Sequence, residues 1–120
     1  MSLGTSALSS VDVFIVDADP SQRRALSGLI AGRALGRFLP RASADPAEAL
    51  AAARTGTGAI MIADLDTIGG TESLPELTRH APPLIATSNV SSLTLAVAAV
   101  RAGAIDFLAK PIGARALLER

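Results

Sequence analysis

Four short stretches of the chain end in residues able to hold charge. Val16-Asp17-Ala18-Asp19-Pro20 places two aspartates directly after an apolar run, with an alanine between them. Ala59 to Ala63 is a second apolar run, closed by Asp64, with Asp66 two positions on. Leu84-Ile85-Ala86 leads into Thr87 and Ser88, and Ile105 to Ala109 leads into Lys110. Carboxylates in such places gather around hard cations such as Mg²⁺, which takes carboxylate oxygens and completes its shell with water. A lysine supplies a compact positive charge for an anion. An acid closing a buried apolar strand is costly without a partner or a purpose. The Asp17-Ala18-Asp19 stretch leaves three readings open: an intact acidic site, a site short of one carboxylate, or a turn holding two acids.

These residues act together only if the elements before them share one sheet. Val11 to Val16 has the β-branched and aromatic character of a strand. Asp19-Pro20 then reads as a helix cap and first turn, and Leu26, Leu29, Ile30 and Ala34 recur at helical spacing up to Gly36. Arg37 to Ala42 reads as a short strand, with Pro40 marking a sheet edge. Asp45-Pro46 starts a second helix in AEALAAAR, and Gly56 and Gly58 end it. Ala59 to Ala63 is continuously apolar, as a central strand covered on both faces would be. Asp64 to Thr71 reads as a loop, and Glu72 to Arg79 as a short helix restricted by Pro75. Pro83 to Thr87 is a fourth strand. Ser91 or Ser92 caps a helix through Arg101, with Gly103 past its end. Ile105 to Ala109 is a fifth strand, Lys110-Pro111 stops it, and a last helix opens at Gly113. Five such units predict an α/β fold with a parallel sheet and helices on both faces. Ligands of such sheets bind at the carboxyl ends of the strands. That rule brings Asp17, Asp19, Asp64, Asp66, Thr87, Ser88 and Lys110 to one rim.

The remaining composition narrows the function. The 120 residues fit one domain and are 49% apolar, enough for a core without disulfides or metals. The absence of cysteine excludes a thiol nucleophile, a disulfide scaffold and a zinc–thiolate site. His80 is the single histidine, so a histidine metal site is not expected, and it reads as a surface residue before Pro82-Pro83. Eleven basic residues balance eleven acidic ones, and with three Phe and no Trp or Tyr there is neither a basic stripe nor a stacking surface for nucleic acid. No apolar run is long enough to span a membrane, and MSLGTSALSS lacks the pattern of a secretory signal. Residues 1–10 read as a disordered lead, in part a cloning remnant, and residues 11–120 as the domain, its last helix cut short at Arg120. A cytoplasmic location follows by default.

The pieces "FIVDADP", "AIMIADLD", "LIATS" and "AGAIDFLAKP", in this order and strand context, resemble the receiver domain of two-component response regulators over Val11 to Arg120. The resemblance implies a doubly wound (βα)5 flavodoxin-like sheet of strand order 2-1-3-4-5. It implies that Asp64 accepts a phosphoryl group from a histidine kinase or phosphotransfer protein. Lys110 and Thr87 would then bind the phosphoryl oxygens. Mg²⁺ would sit on Asp17, Asp64 and the backbone carbonyl of Asp66. Thr87 and Phe107 would be switch residues, and the Lys110–Pro111 bond a cis candidate. The changing face would be that of the fourth helix, fifth strand and fifth helix, which could also support a homodimer, and an output domain could follow in a longer chain. Enzymatic activity would be confined to self-phosphorylation and autodephosphorylation at Asp64.

The chain also departs from that family. Ala18 stands where a second adjacent acid, a direct metal ligand, is expected, so Mg²⁺ binding should be weakened, with Asp19 a possible substitute after a loop shift. Asp64 and Thr87 are closer in sequence than is usual, which shortens the third helix, and Thr67-Ile68-Gly69-Gly70 replaces a proline-containing loop. Phe107 lacks the hydroxyl common at its position. A second reading is therefore a pseudo-receiver, a dimerisation or docking module that works without phosphorylation. A third, a nucleotide- or flavin-binding enzyme on the same fold, rests on Gly56-Thr57-Gly58, which follows a helix and lacks the third glycine of a dinucleotide loop.

Overall fold

The computed structural model describes residues 11–33, 38–55, 60–80, 83–110 and 112. The expectations for residues 1–10, Gly36, the 56–58 glycines, the Lys110–Pro111 bond, the helix from Gly113 and the side chain of His80 lie outside them.

Strands β1 (Val11–Val16), β2 (Phe38–Ser43), β3 (Ile60–Asp64), β4 (Leu84–Ser88) and β5 (Asp106–Ala109) form one sheet in the order β2-β1-β3-β4-β5. Every adjacent pair is parallel. Pro40 lies on β2, an edge strand, where a missing N–H is tolerated. The helices are α1 (Pro20–Arg33), α2 (Pro46–Thr55), α3 (Leu65–Ile68), α4 (Leu74–His80) and α5 (Leu93–Arg101).

Alternation along the strands divides the core in two. Val13, Ile15, Ile62, Ile85 and Leu108 join Leu26 and Ile30 of α1 on one face of the sheet. Val16, Met61, Ala63, Leu84 and Ala86 form the other core with Ala49 of α2, Leu74 and Leu77 of α4, and Ala99 of α5. β3 and β4, the strands buried most completely, are the ones that carry Asp64 and Thr87.

Predicted caps hold the helices in register. Asp19 Oδ1 accepts from Ser21 N at 2.9 Å, Asp45 Oδ1 from Ala47 N at 2.9 Å, and Ser92 Oγ from Leu95 N at 3.2 Å. Each satisfies an amide that the first helical turn leaves unpaired.

One expectation needs correction. The segment after Asp64 is not all loop: Leu65–Ile68 forms a single helical turn, capped by Asp64 itself and closed by Gly69 in a left-handed conformation (φ 97°). Leu65 and Ile68 bury their side chains in the core, which fixes the turn. A 3₁₀ turn at Thr71–Ser73 then leads into α4. The shortened third helix is thus two short pieces rather than one.

Candidate functional site

Three strand ends converge on one buried ion cluster. Asp17 directly follows β1, Asp64 is the last residue of β3, and Lys110 directly follows β5. Lys110 Nζ donates to Asp17 Oδ2 at 2.5 Å and to Asp64 Oδ1 at 2.9 Å. The side chains of Lys110, Asp17 and Asp64 are 4%, 3% and 6% exposed, so these charges are largely out of water. Burial alone would push the ammonium down. The bonds to the two carboxylates outweigh it and hold Lys110 above its ordinary range. The backbone steadies the lysine as well, since Lys110 N donates to Ser88 O at 2.8 Å.

The other oxygen of each carboxylate is also engaged. Asp17 Oδ1 accepts from Asp19 N at 2.9 Å. Asp64 Oδ2 accepts from Thr67 N at 3.0 Å and from Thr67 Oγ1 at 2.8 Å. The same Thr67 hydroxyl accepts from Ala18 N at 2.8 Å. Arg23 Nη1 donates to the carbonyls of Asp17 at 2.7 Å and Ala18 at 3.1 Å, pinning the turn after β1 from outside.

Thr87 is fully buried and lies opposite Asp64 in the β3–β4 register. Phe107 pairs with Ala86 and packs against the core on the α5 side of the sheet. Asp19 and Asp66 stand apart from the ion cluster. Asp19 is exposed and the pKa of its carboxylate is lowered, chiefly by the Ser21 hydroxyl. Asp66 is exposed in the first turn of α3.

Thr67 and Arg23 are the site residues that the sequence alone did not single out. Thr67 carried one signal: a hydroxyl three positions after an aspartate is the spacing of a capped helical turn. Arg23 carried none, because it acts on backbone carbonyls.

Residues 13–120 match the family described as response regulator receiver domain. The chain belongs to that family. The receiver fold recurs in solved structures. A two-component response regulator from Clostridium difficile superposes with a TM-score of 0.80 at 14% identity, over 92% of this chain and 91% of that one. A CheY-like receiver domain protein from Methanospirillum hungatei JF-1 gives 0.79 at 23% identity, over 92% and 90%. NtrX from Brucella abortus, solved with ADP, gives 0.78 at 26% identity, and the receiver domain described here covers 25% of its length. No match was found among curated proteins.

Receiver domains generally bind Mg²⁺ in their acidic site, and the residues present fit the ion in part. Asp17 and Asp64 offer two carboxylates that already share one cation. Ala18 offers no side-chain oxygen, and Asp19 is turned to Ser21. Among the described residues no group of three or more His, Cys, Asp or Glu is placed to hold a metal.

Proposed function

We propose that this receiver domain accepts a phosphoryl group on Asp64 from a histidine kinase or phosphotransfer protein and converts it into a change of interaction face. The observation that carries this reading is the Asp64–Lys110 pair. A nearly buried carboxylate ends the central strand, and its Oδ1 is engaged by a single ammonium on a flexible stem. The ammonium can follow the charge from carboxylate to phosphoryl oxygens, and Thr87, opposite Asp64 in register, can donate its hydroxyl to them. Asp17 keeps Lys110 anchored while Asp64 reacts. Asp17, Asp64 and the Asp66 carbonyl are the residues that would hold Mg²⁺, which supplies charge neutralisation when bound. With Ala18 contributing no ligand, Lys110 carries more of that neutralisation here.

The phosphoryl group adds negative charge and acceptor oxygens beside Thr87. The surface that would read this change is α5 and the start of β5. Leu93, Val97, Val100 and Ile105 are exposed there, an apolar strip suited to a second copy or an output domain. Among the described residues no helix is long and apolar enough to cross a membrane.

The pseudo-receiver reading draws on two specific observations: Ala18, and a Lys110 already neutralised by two carboxylates. Acetyl phosphate with Mg²⁺, read by intact mass beside Asp64→Asn, separates the two. An adduct lost in Asp64→Asn supports phosphoryl acceptance. No adduct, together with no Mg²⁺ binding by titration, leaves the docking module.

A further inference from the structure

The two oxygens of Asp64 are held differently. Among the described residues Oδ1 meets only the Lys110 ammonium, at the end of an unbranched side chain. Oδ2 meets the amide and the hydroxyl of Thr67, three residues along the same chain. The direction of the hydroxyl bond is forced. Ala18 N–H can only donate to Thr67 Oγ1, and the Asp64 carboxylate can only accept from it. A directed chain therefore runs from Ala18 N–H through the Thr67 hydroxyl to Oδ2. The bond from the Thr67 amide belongs to the cap of α3 and does not involve Lys110.

We infer that Thr67 is a positioning residue that reserves Asp64 Oδ1 as the attacking oxygen and shortens the life of the aspartyl phosphate. This rests on Asp64 being the acceptor. A lone pair of Oδ1 forms the bond to phosphorus as the bond from phosphorus to the donor atom breaks, an imidazole nitrogen in a phosphohistidine donor or an acyl oxygen in acetyl phosphate, and the donor leaves with that electron pair. Oδ2 becomes the acyl oxygen, still bonded to Thr67. In hydrolysis a water oxygen attacks phosphorus, the P–Oδ1 bond breaks, and its electron pair returns to the carboxylate. Inorganic phosphate leaves with the water's protons. Negative charge grows on Oδ2 during that step, so the Thr67 hydroxyl bond strengthens toward the transition state and favours departure. The same bond stabilises the free carboxylate and slows its attack.

The test uses acetyl phosphate and Mg²⁺, with intact mass followed during formation and again after the donor is removed. Thr67→Val removes the hydroxyl but keeps the amide, Thr67→Ala does so with less bulk should Val disturb the turn, and Thr67→Ser restores the hydroxyl. The expected result is an adduct that forms no more slowly in Val and Ala and decays about fivefold more slowly than wild type, a fraction of the worth of a charge-assisted bond, with Ser returning to wild type. A residue that only braced the fold would give slower formation and faster loss. Decay in Val and Ala as fast as wild type or faster, or a Ser variant resembling Val, overturns the inference and leaves the acceptor reading standing. A wild-type domain that forms no adduct overturns both.

Discussion

At the scale of single residues, the site is a charge balance with one cation between two acids. Removing the cation by Lys110→Met leaves Asp17 and Asp64 facing each other without it. That should cost about 3 kcal/mol in urea unfolding at neutral pH. The pair also shapes the response to alkali. Asp17 and Asp64 hold Lys110 above its reference value of 10.5. A base raised on folding contributes stability that is fully present below its unfolded pKa and is lost as pH rises through the folded one. Stability should therefore fall above about pH 10.5, and Asp64→Asn should shrink that loss, as pH-dependent melts would record. Ala18 is exposed, so Ala18→Asp has room to add a carboxylate and should raise Mg²⁺ affinity roughly tenfold by titration calorimetry. Asp17, Asp64, Thr87 and Lys110 were legible in the sequence because charged or hydroxyl residues at the ends of apolar strands stand out. Arg23 was not, because it works on backbone carbonyls, and Thr67 left only its cap spacing after Asp64, which does not show that it works as a relay.

At the scale of elements, the longer helices announced themselves through their caps, Asp19, Asp45 and Ser92. The turn of α3 did not, because Gly69-Gly70 directly after it reads as loop. Its cap, Asp64, was also already spoken for by the site. One residue serves both purposes, so turn and site cannot vary independently. The passage from α5 to β5 has a similar constraint at Gly103. Its φ of 119° suits glycine, and an added Cβ would come within 2.4 Å of Thr78 Oγ1. Thr78 Oγ1 in turn donates to Leu74 O at 3.0 Å, within α4. Gly103→Ala should lower unfolding stability by about 2 kcal/mol or more, combining strain with the collision. Adding Thr78→Ala should restore only the part of the collision made by the hydroxyl and methyl, since Thr78 Cβ at 2.9 Å remains, and a double-mutant cycle measures that part.

At the scale of the whole molecule, the parallel sheet with its two-sided core followed from the alternation of apolar runs and helix patterns, and the strand order from the resemblance to receiver domains. The exposed strip on α5 was harder to read, because an apolar residue on an amphipathic helix gives no sign of which side it faces. Leu93 is 81% exposed, and Val97 and Val100 lie along the same helix. Val97→Asp should change stability by less than about 0.5 kcal/mol while weakening self-association or partner binding, as sedimentation and pull-down would show. The Lys110 contacts have a further consequence, for the order in which the protein becomes competent. They join residues 93 positions apart to Asp17 and 46 apart to Asp64. Loops of that length close only once the intervening strands have paired. During synthesis both acids emerge long before their cation does. Until β5 docks, Asp17 and Asp64 share a rim without their cation, so the ion cluster is complete only on a finished sheet.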